Sequence, residues 1–216
     1  MIEGFEEQIY KVFGLSFTGD QAQKLRMYAE QLKAWSGRVR LISKGDRDFI
    51  WERHITDSLS LVSSLPQVGL VMDFGSGAGL PGIPMGIMRP DIEIHLLEPT
   101  RMKALFLNQM VKELDLKHMK VLRSRSEDLL KVGQGLGLYK CISARAVAAL
   151  PQLWKLTNPF LSHSGKLLAL KGPNVMEEFE GRLLEDIQYE LKHFTLPFCE
   201  KERVLVILKH VSRETR

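Results

Sequence analysis

Val71-Met72-Asp73-Phe74-Gly75-Ser76-Gly77-Ala78-Gly79-Leu80-Pro81-Gly82-Ile83-Pro84 runs from an apolar strand through an acid and three alternating glycines into a helix start marked by prolines. Gly75, Gly77 and Gly79 accept positive φ, so the backbone can turn sharply there and approach a ligand closely. The helix that follows turns free N–H groups and a positive dipole end toward the same ligand. The chemistry such a loop serves is the holding of a nucleotide-type cofactor. Glu98 ends the next apolar run and could accept both ribose hydroxyls of that cofactor, or cap the helix that begins near Thr100. Ser124-Arg125-Ser126-Glu127-Asp128 follows a third strand pattern, as a loop under the adenine or as a plain helix N-cap. Arg145 and Lys171 close two further strand patterns, so with Arg125 three cations stand at successive strand ends, where reacting groups must meet.

Two cofactors fit the loop. Gly77-x-Gly79-x-x-Gly82 satisfies the dinucleotide fingerprint, which predicts an NAD(P)-dependent oxidoreductase. Asp73-x-Gly75-x-Gly77-x-Gly79 resembles the first motif of S-adenosylmethionine-dependent methyltransferases. A carboxylate at Asp73 suits the cationic methionyl amino group and would face a pyrophosphate badly, which favours the second cofactor. A non-catalytic RNA-binding module is a further alternative, and the intact Asp73, Gly75, Gly77, Gly79 and Glu98 speak against it.

The elements that must position these residues are legible in the pattern. Residues 1–65 read as a helical N-terminal extension, with Phe5, Ile9, Val12 and Phe13 and then Leu25, Tyr28, Ala29, Leu32 and Trp35 at helical spacing. Thr18-x-x-Gln21 reads as a capping box, and a third helix is expected from Asp46 through Leu61. Residues 66–216 read as a Rossmann-like domain. Strands near 69–74, 92–98, 119–123, 140–144 and 166–171 alternate with helices near 82–89, 101–115, 147–161 and 175–185. Segments 188–198 and 203–211 look like a closing antiparallel pair, which completes a seven-stranded α/β sheet.

The 216 residues are ample for a buried core, and no apolar run approaches a membrane span. The acidic N-terminus has no signal-peptide core, so the expectation is a cytoplasmic protein. Cys141 and Cys199 stand far apart and the histidines are scattered, so no metal site is expected. Residues 131–216 hold 13 Lys and Arg against 9 Asp and Glu and so carry the whole net charge of +4. Arg38, Arg40, Lys44 and Arg47, and then Lys117, Lys120, Arg123 and Arg125, form local clusters that point to a polyanionic substrate.

Over nearly its whole length the chain resembles the bacterial small-subunit rRNA guanine-N7 methyltransferases of the glucose-inhibited division protein B family. The matching pieces are Arg53-His54-Ile55-Thr56-Asp57-Ser58-Leu59, Asp73 through Pro84, Leu96-Leu97-Glu98, Ser124-Arg125-Ser126-Glu127, Ala144-Arg145-Ala146, Ala169-Leu170-Lys171-Gly172 and Glu202-Arg203. The resemblance implies S-adenosylmethionine as cofactor, S-adenosylhomocysteine as product, and N7 of guanine 527 in the 530 loop of 16S rRNA as target. It implies cofactor contacts at Gly75, Leu80, Ser126, Glu127 and Arg145, and RNA contacts at Arg53, His54, Arg125 and Lys171. Arg125, Arg145 and Lys171 are the expected catalytic cations, 16S rRNA or the 30S subunit the partner, and a monomer the expected state. The chain departs from the family pattern at Arg40-Leu41-Ile42-Ser43, where relatives usually read Asn-Leu-Thr-Ser, and at Glu98, Lys140 and Ala144. Guanine N7 offers a lone pair and no proton, so the reaction needs alignment rather than a general base.

Overall fold

A computed structural model describes residues 1–179 and 187–211. Its centre is a seven-stranded sheet in the order β3-β2-β1-β4-β5-β7-β6. Strands β1 (Leu70–Phe74), β2 (Glu93–Leu97), β3 (Met119–Leu122), β4 (Tyr139–Arg145) and β5 (Leu161–Lys171) are parallel. Strands β6 (Ile187–Thr195) and β7 (Glu202–His210) pair antiparallel, and β7 adds to β5 in the same sense. The order reverses between β1 and β4, and the crevice at such a switch point is where open α/β sheets hold ligands. Asp73 sits opposite Leu96 on one side and Ser143 on the other, so the ends of β1, β2 and β4 rise side by side.

Seven α-helices accompany the described strands: α1 (Phe5–Phe13), α2 (Gly19–Trp35), α3 (Thr56–Leu59), α4 (Gly82–Met88), α5 (Arg101–Glu113), α6 (Ser126–Lys131) and α7 (Leu150–Thr157). The capping box at the start of α2 is present: Thr18 Oγ1 accepts from the Gln21 N–H at 3.2 Å and Gln21 Oε1 from the Thr18 N–H at 2.9 Å. Gln21 also donates to the Ile87 and Met88 carbonyls at 3.3 and 3.2 Å, which fastens α2 to the end of α4. One apolar core joins Phe5, Ile9, Leu25, Tyr28 and Leu32 to Val71, Ile94 and Leu107, and a second lies on the opposite face beneath α7.

The expected third helix is not continuous. A 3₁₀ turn at Lys44–Asp46, a π-helical turn at Ile50–Ile55 and the single turn of α3 replace it. The π turn widens the backbone by one residue and carries Arg53 and His54 with it. The expected helix at 147–161 is shorter because Ala146 takes a left-handed φ of 55°, which ends β4 abruptly and delays the helix to Leu150. Strand β5 starts earlier than expected, at Leu161, where it pairs with Tyr139 before a register shift. The segment at 175–185 is a 3₁₀ stretch, Pro173–Phe179, as far as the described residues go; residues 180–185 lie outside them.

Candidate active site

The glycine loop lies between β1 and α4, and φ is 71° at Gly75, 56° at Gly77 and 87° at Gly79. Ser76 pins it: its N–H donates to the Leu97 carbonyl at 3.0 Å and its hydroxyl to the Asp73 carbonyl at 2.9 Å. The glycines differ in their surroundings. A Cβ on Gly79 would lie 2.5 Å from Ile83 and 3.0 Å from Leu107, and one on Gly82 only 2.3 Å from Leu96. Those two let α4 pack on the sheet. A Cβ on Gly77 would meet no protein atom nearer than the Gly75 carbonyl at 3.8 Å, so the loop keeps an open face there for a ligand's close approach. Leu80 is buried where the loop enters α4.

Asp73 lies beneath this loop rather than on its open face. It is buried, its Oδ2 accepting from the Gly82 N–H at 3.1 Å and its Oδ1 from the Ser143 hydroxyl at 3.0 Å. Burial pushes its carboxyl up to about 6, against those hydrogen bonds. Glu98 meets the loop directly: Oε2 accepts from the Gly77 N–H at 2.9 Å and Oε1 from the Thr100 N–H at 2.8 Å. A carboxylate offers about four acceptor positions, so Glu98 keeps room for hydroxyl donors while steadying both Gly77 and the start of α5. Tyr28, one of the residues at helical spacing in α2, is fully buried, and its hydroxyl donates to the Ala78 carbonyl at 2.9 Å, which supports the loop from below. Burial pushes that phenol upward. Beyond β3, Ser126 is buried and donates to Glu127 at 3.1 Å, and no side chain caps α6, so the plain N-cap reading of this segment has no hydrogen bond behind it.

A cleft of about 350 Å³ opens at the ends of β4 and β5, with Arg53, His54, Arg145, Lys171, Lys201 and Arg203 around it. Arg145 donates from Nη1 to Asp57 Oδ2 at 3.3 Å and from Nη2 to His54 Nδ1 at 2.9 Å. Arg203 Nε donates to the other Asp57 oxygen at 2.8 Å. Because a guanidinium only donates, His54 Nδ1 must accept, and the ring proton belongs on Nε2. That Nε2 is buried without a hydrogen-bond partner, 4.0 Å from Asp46. Burial, helped by Arg145, lowers His54 to about 4, so the ring is neutral. Arg53 lies 4.1 Å over the Phe49 ring and donates to Asp46 at 2.8 Å. Lys171 donates to the Ala148 carbonyl and to Glu178, both at 2.7 Å, leaving one N–H for the cleft.

The structure thus brings Arg53, His54, Arg145 and Lys171 together, although they are remote in sequence. Arg125 stands apart: it is exposed at the N-terminus of α6, after β3, with β2 and β1 between β3 and β4. The expectation of three cations in one place therefore reduces to two, because strand order and not sequence order sets which strand ends are neighbours. Asp57 holds Arg145 and is itself held by Arg203 on its other oxygen, and an acid in a helical run carries no sign of which cations reach it. Loop and cleft adjoin, since a Cβ on Gly75 would lie 3.1 Å from Val147, two residues after Arg145. In the helical segment, Arg38, Arg40 and Lys44 are exposed, while Arg47 turns inward and donates to the Ser36 carbonyl. Among the described residues no cluster of His, Cys, Asp or Glu is arranged to hold a metal, and no helix is long and apolar enough to cross a membrane.

Comparison with known proteins agrees with this geometry. Residues 21–206 match the family model GidB, described as rRNA small subunit methyltransferase G. A protein of Desulfitobacterium hafniense named ribosomal RNA small subunit methyltransferase G is 36% identical over 203 residues, covering 92% of this chain and 84% of its own. A protein of the same name from Sorangium cellulosum is 37% identical over 82% of this chain and 74% of its own. Among solved structures, a SAM-dependent methyltransferase from Aquifex aeolicus aligns with a TM-score of 0.56 at 16% identity, over 76% of this chain and 95% of its own. An rRNA methylase from Streptococcus thermophilus aligns with a TM-score of 0.50 at 14% identity, over 73% and 94%. Such likenesses establish the Rossmann-like methyltransferase fold.

Proposed function

The chain belongs to the GidB family of rRNA small subunit methyltransferases, and from that premise we propose that it methylates N7 of guanine 527 in the 530 loop of 16S rRNA, using S-adenosylmethionine. The observation that carries this reading is the junction of loop and cleft: an open glycine face at Gly77 adjoins a cation-lined hollow at the ends of β4 and β5. When bound, S-adenosylmethionine supplies a methyl group on a cationic sulfur. Gly77 admits the cofactor's close approach, and Glu98 accepts from its ribose hydroxyls with the lone pairs its backbone donors leave free. Ser126 and Glu127 border the adenine. Asp73 acts from beneath by fixing the loop between β1 and α4.

Arg145 presents its remaining N–H donors to the cofactor carboxylate or to guanine O6, both acceptors that a planar fork suits. Arg53 and Lys171, each already paired with a carboxylate, donate hydrogen bonds to RNA phosphates at the cleft, and exposed Arg125 neutralises a phosphate beyond β3. His54 stays neutral, which adds no further positive charge where sulfonium and product purine are both positive. No proton leaves N7, so the chain's contribution is alignment in a site that excludes water. The reaction belongs in the cytoplasm, where the small subunit assembles.

The test is to incubate the purified chain with labelled S-adenosylmethionine and either naked 16S rRNA or 30S subunits lacking the modification, then map 7-methylguanine by reduction and strand cleavage. A single new cleavage at position 527 is expected in at least one substrate. Label at another position, or none in either, overturns the assignment.

A further inference from the structure

We propose that Asp57 is a positioning residue for methyl transfer, acting by holding the Arg145 guanidinium in one orientation at the mouth of the cleft. The inference rests on the functional reading above and adds to it a residue whose two carboxylate oxygens are both taken by arginines. Asp57 lies in α3, a single helical turn supplied by the N-terminal segment, while Arg145 ends β4 and Arg203 opens β7. One carboxylate therefore joins three elements that are far apart in sequence. It does so from a buried position, with a different arginine on each oxygen.

The geometry around Arg145 explains what this arrangement does. A free arginine side chain samples many rotamers, and aiming it costs conformational entropy when a ligand arrives. Here Nη1 is committed to Asp57 and Nη2 to His54 Nδ1, so the guanidinium plane is defined by two contacts. Two of its five N–H donors are used and three remain for a ligand. The backbone is constrained as well, because Ala146 directly after it is held at a φ of 55°. Asp57 has a second effect: its negative charge offsets part of the positive charge of Arg145 and Arg203, so the cleft presents directed donors rather than a diffuse cationic field. Burial opposes ionisation of Asp57, and the two arginines oppose that burial effect.

A merely structural ion pair would lower the melting temperature while leaving turnover per folded molecule unchanged, whereas a positioning role lowers kcat/KM of the folded chain. A double-mutant cycle on the full chain makes that distinction. Asp57→Asn, Arg145→Ala and the pair are assayed with the rRNA substrate that the wild-type chain methylates, reading kcat, the KM for each substrate and thermal melting. The expectation is that Asp57→Asn lowers kcat/KM at least about fivefold when Arg145 is present and less than twofold when it is absent. Arg203→Ala serves as the comparison, and the Asp57→Asn effect persists in that background. Should Asp57→Asn fail to fold, Asp57→Glu replaces it in the cycle, since it keeps the charge and shifts the carboxylate away from its place on the Arg145 guanidinium. Equal losses with and without Arg145, or a loss absorbed by Arg203→Ala instead, overturn the proposal. A wild-type chain that methylates no rRNA overturns the functional reading beneath it, whereas an active wild-type chain with additive substitutions overturns this inference alone.

Discussion

Gly77 and Gly79 share one loop and a positive φ, yet a methyl group at each has a different consequence. At either position alanine must adopt the left-handed region at a cost of roughly 1–2 kcal/mol. At Gly79 the added Cβ also collides with Ile83 and Leu107, so Gly79→Ala loses a further 1–3 kcal/mol or so and is seen as a lower melting temperature. At Gly77 it meets no protein atom closer than 3.8 Å and intrudes only on the ligand's space. Gly77→Ala is therefore expected to lose about tenfold or more in S-adenosylhomocysteine affinity with a smaller drop in melting temperature, measured by calorimetry beside a thermal melt. The reverse ranking would mean that Gly77 is the packing glycine. Two titrating groups give a second expectation. His54 is lowered from 6.5 to about 4, so the stability it contributes is fully present above pH 6.5 and is lost as the pH falls through 4. Asp73 is raised from 3.8 to about 6, so its contribution is present below 3.8 and is lost as the pH rises through 6. The slopes oppose each other, and single variants separate them in urea unfolding between pH 4 and 7. His54→Gln should make stability fall less toward acid than in wild type, and Asp73→Asn should make it fall less toward neutral pH.

Elements explain why some of this was legible in the sequence and some was not. The parallel strands are legible because each holds a short apolar stretch followed by a polar or glycine position, and the capping box at Thr18 and Gln21 is a purely local device. The Asp46–Leu61 segment defeated a periodicity argument because Ile50 and Ile55 are buried through a π turn, whose spacing a 3.6-residue pattern does not describe. Ala146 is equally opaque, since nothing in an alanine advertises a left-handed φ. Lys171 could be placed at a strand end, but its bond to Glu178 depends on how a 3₁₀ stretch folds back over β5. Tyr28 is the clearest case: its helical spacing is legible, but not the loop carbonyl its hydroxyl supports. Tyr28→Phe keeps the ring and leaves the buried Ala78 carbonyl without its donor, a loss of about 1–3 kcal/mol. The expected result is a lower melting temperature together with weaker S-adenosylhomocysteine binding, because α2 and the loop are coupled through that bond. A drop in stability with cofactor affinity unchanged would show that the loop holds its shape without α2.

On the scale of the whole molecule, the cations divide into those already neutralised and those still facing solvent. Arg53, Arg145, Lys171 and Arg203 pair with Asp46, Asp57 and Glu178, so RNA phosphates meeting the cleft would release few counterions per residue. Arg38, Arg40 and Lys44 are exposed on the N-terminal segment and have no ion-pair partner among the described residues. Because that segment shares its core with the sheet, its surface is held in a fixed relation to the cleft and can serve as a second wall for a folded RNA. If phosphates lie along it, RNA affinity falls steeply with salt, and each neutralised phosphate adds about 0.7–0.9 to the slope of log affinity against log salt. Replacing Arg38 and Arg40 together with alanine should weaken RNA binding and flatten that slope by up to about two contacts. The cofactor, a small ligand with few charges to set against a polyanion's many phosphates, should bind with nearly the same affinity at low and high salt. The position methylated should also be unchanged, since phosphate contacts place the RNA while base-edge contacts choose the atom. Filter binding across a salt series, run beside cofactor calorimetry in the same buffers, checks all of these together. A double variant with the wild-type slope would mean that this basic surface packs the helices against the sheet and never meets the RNA.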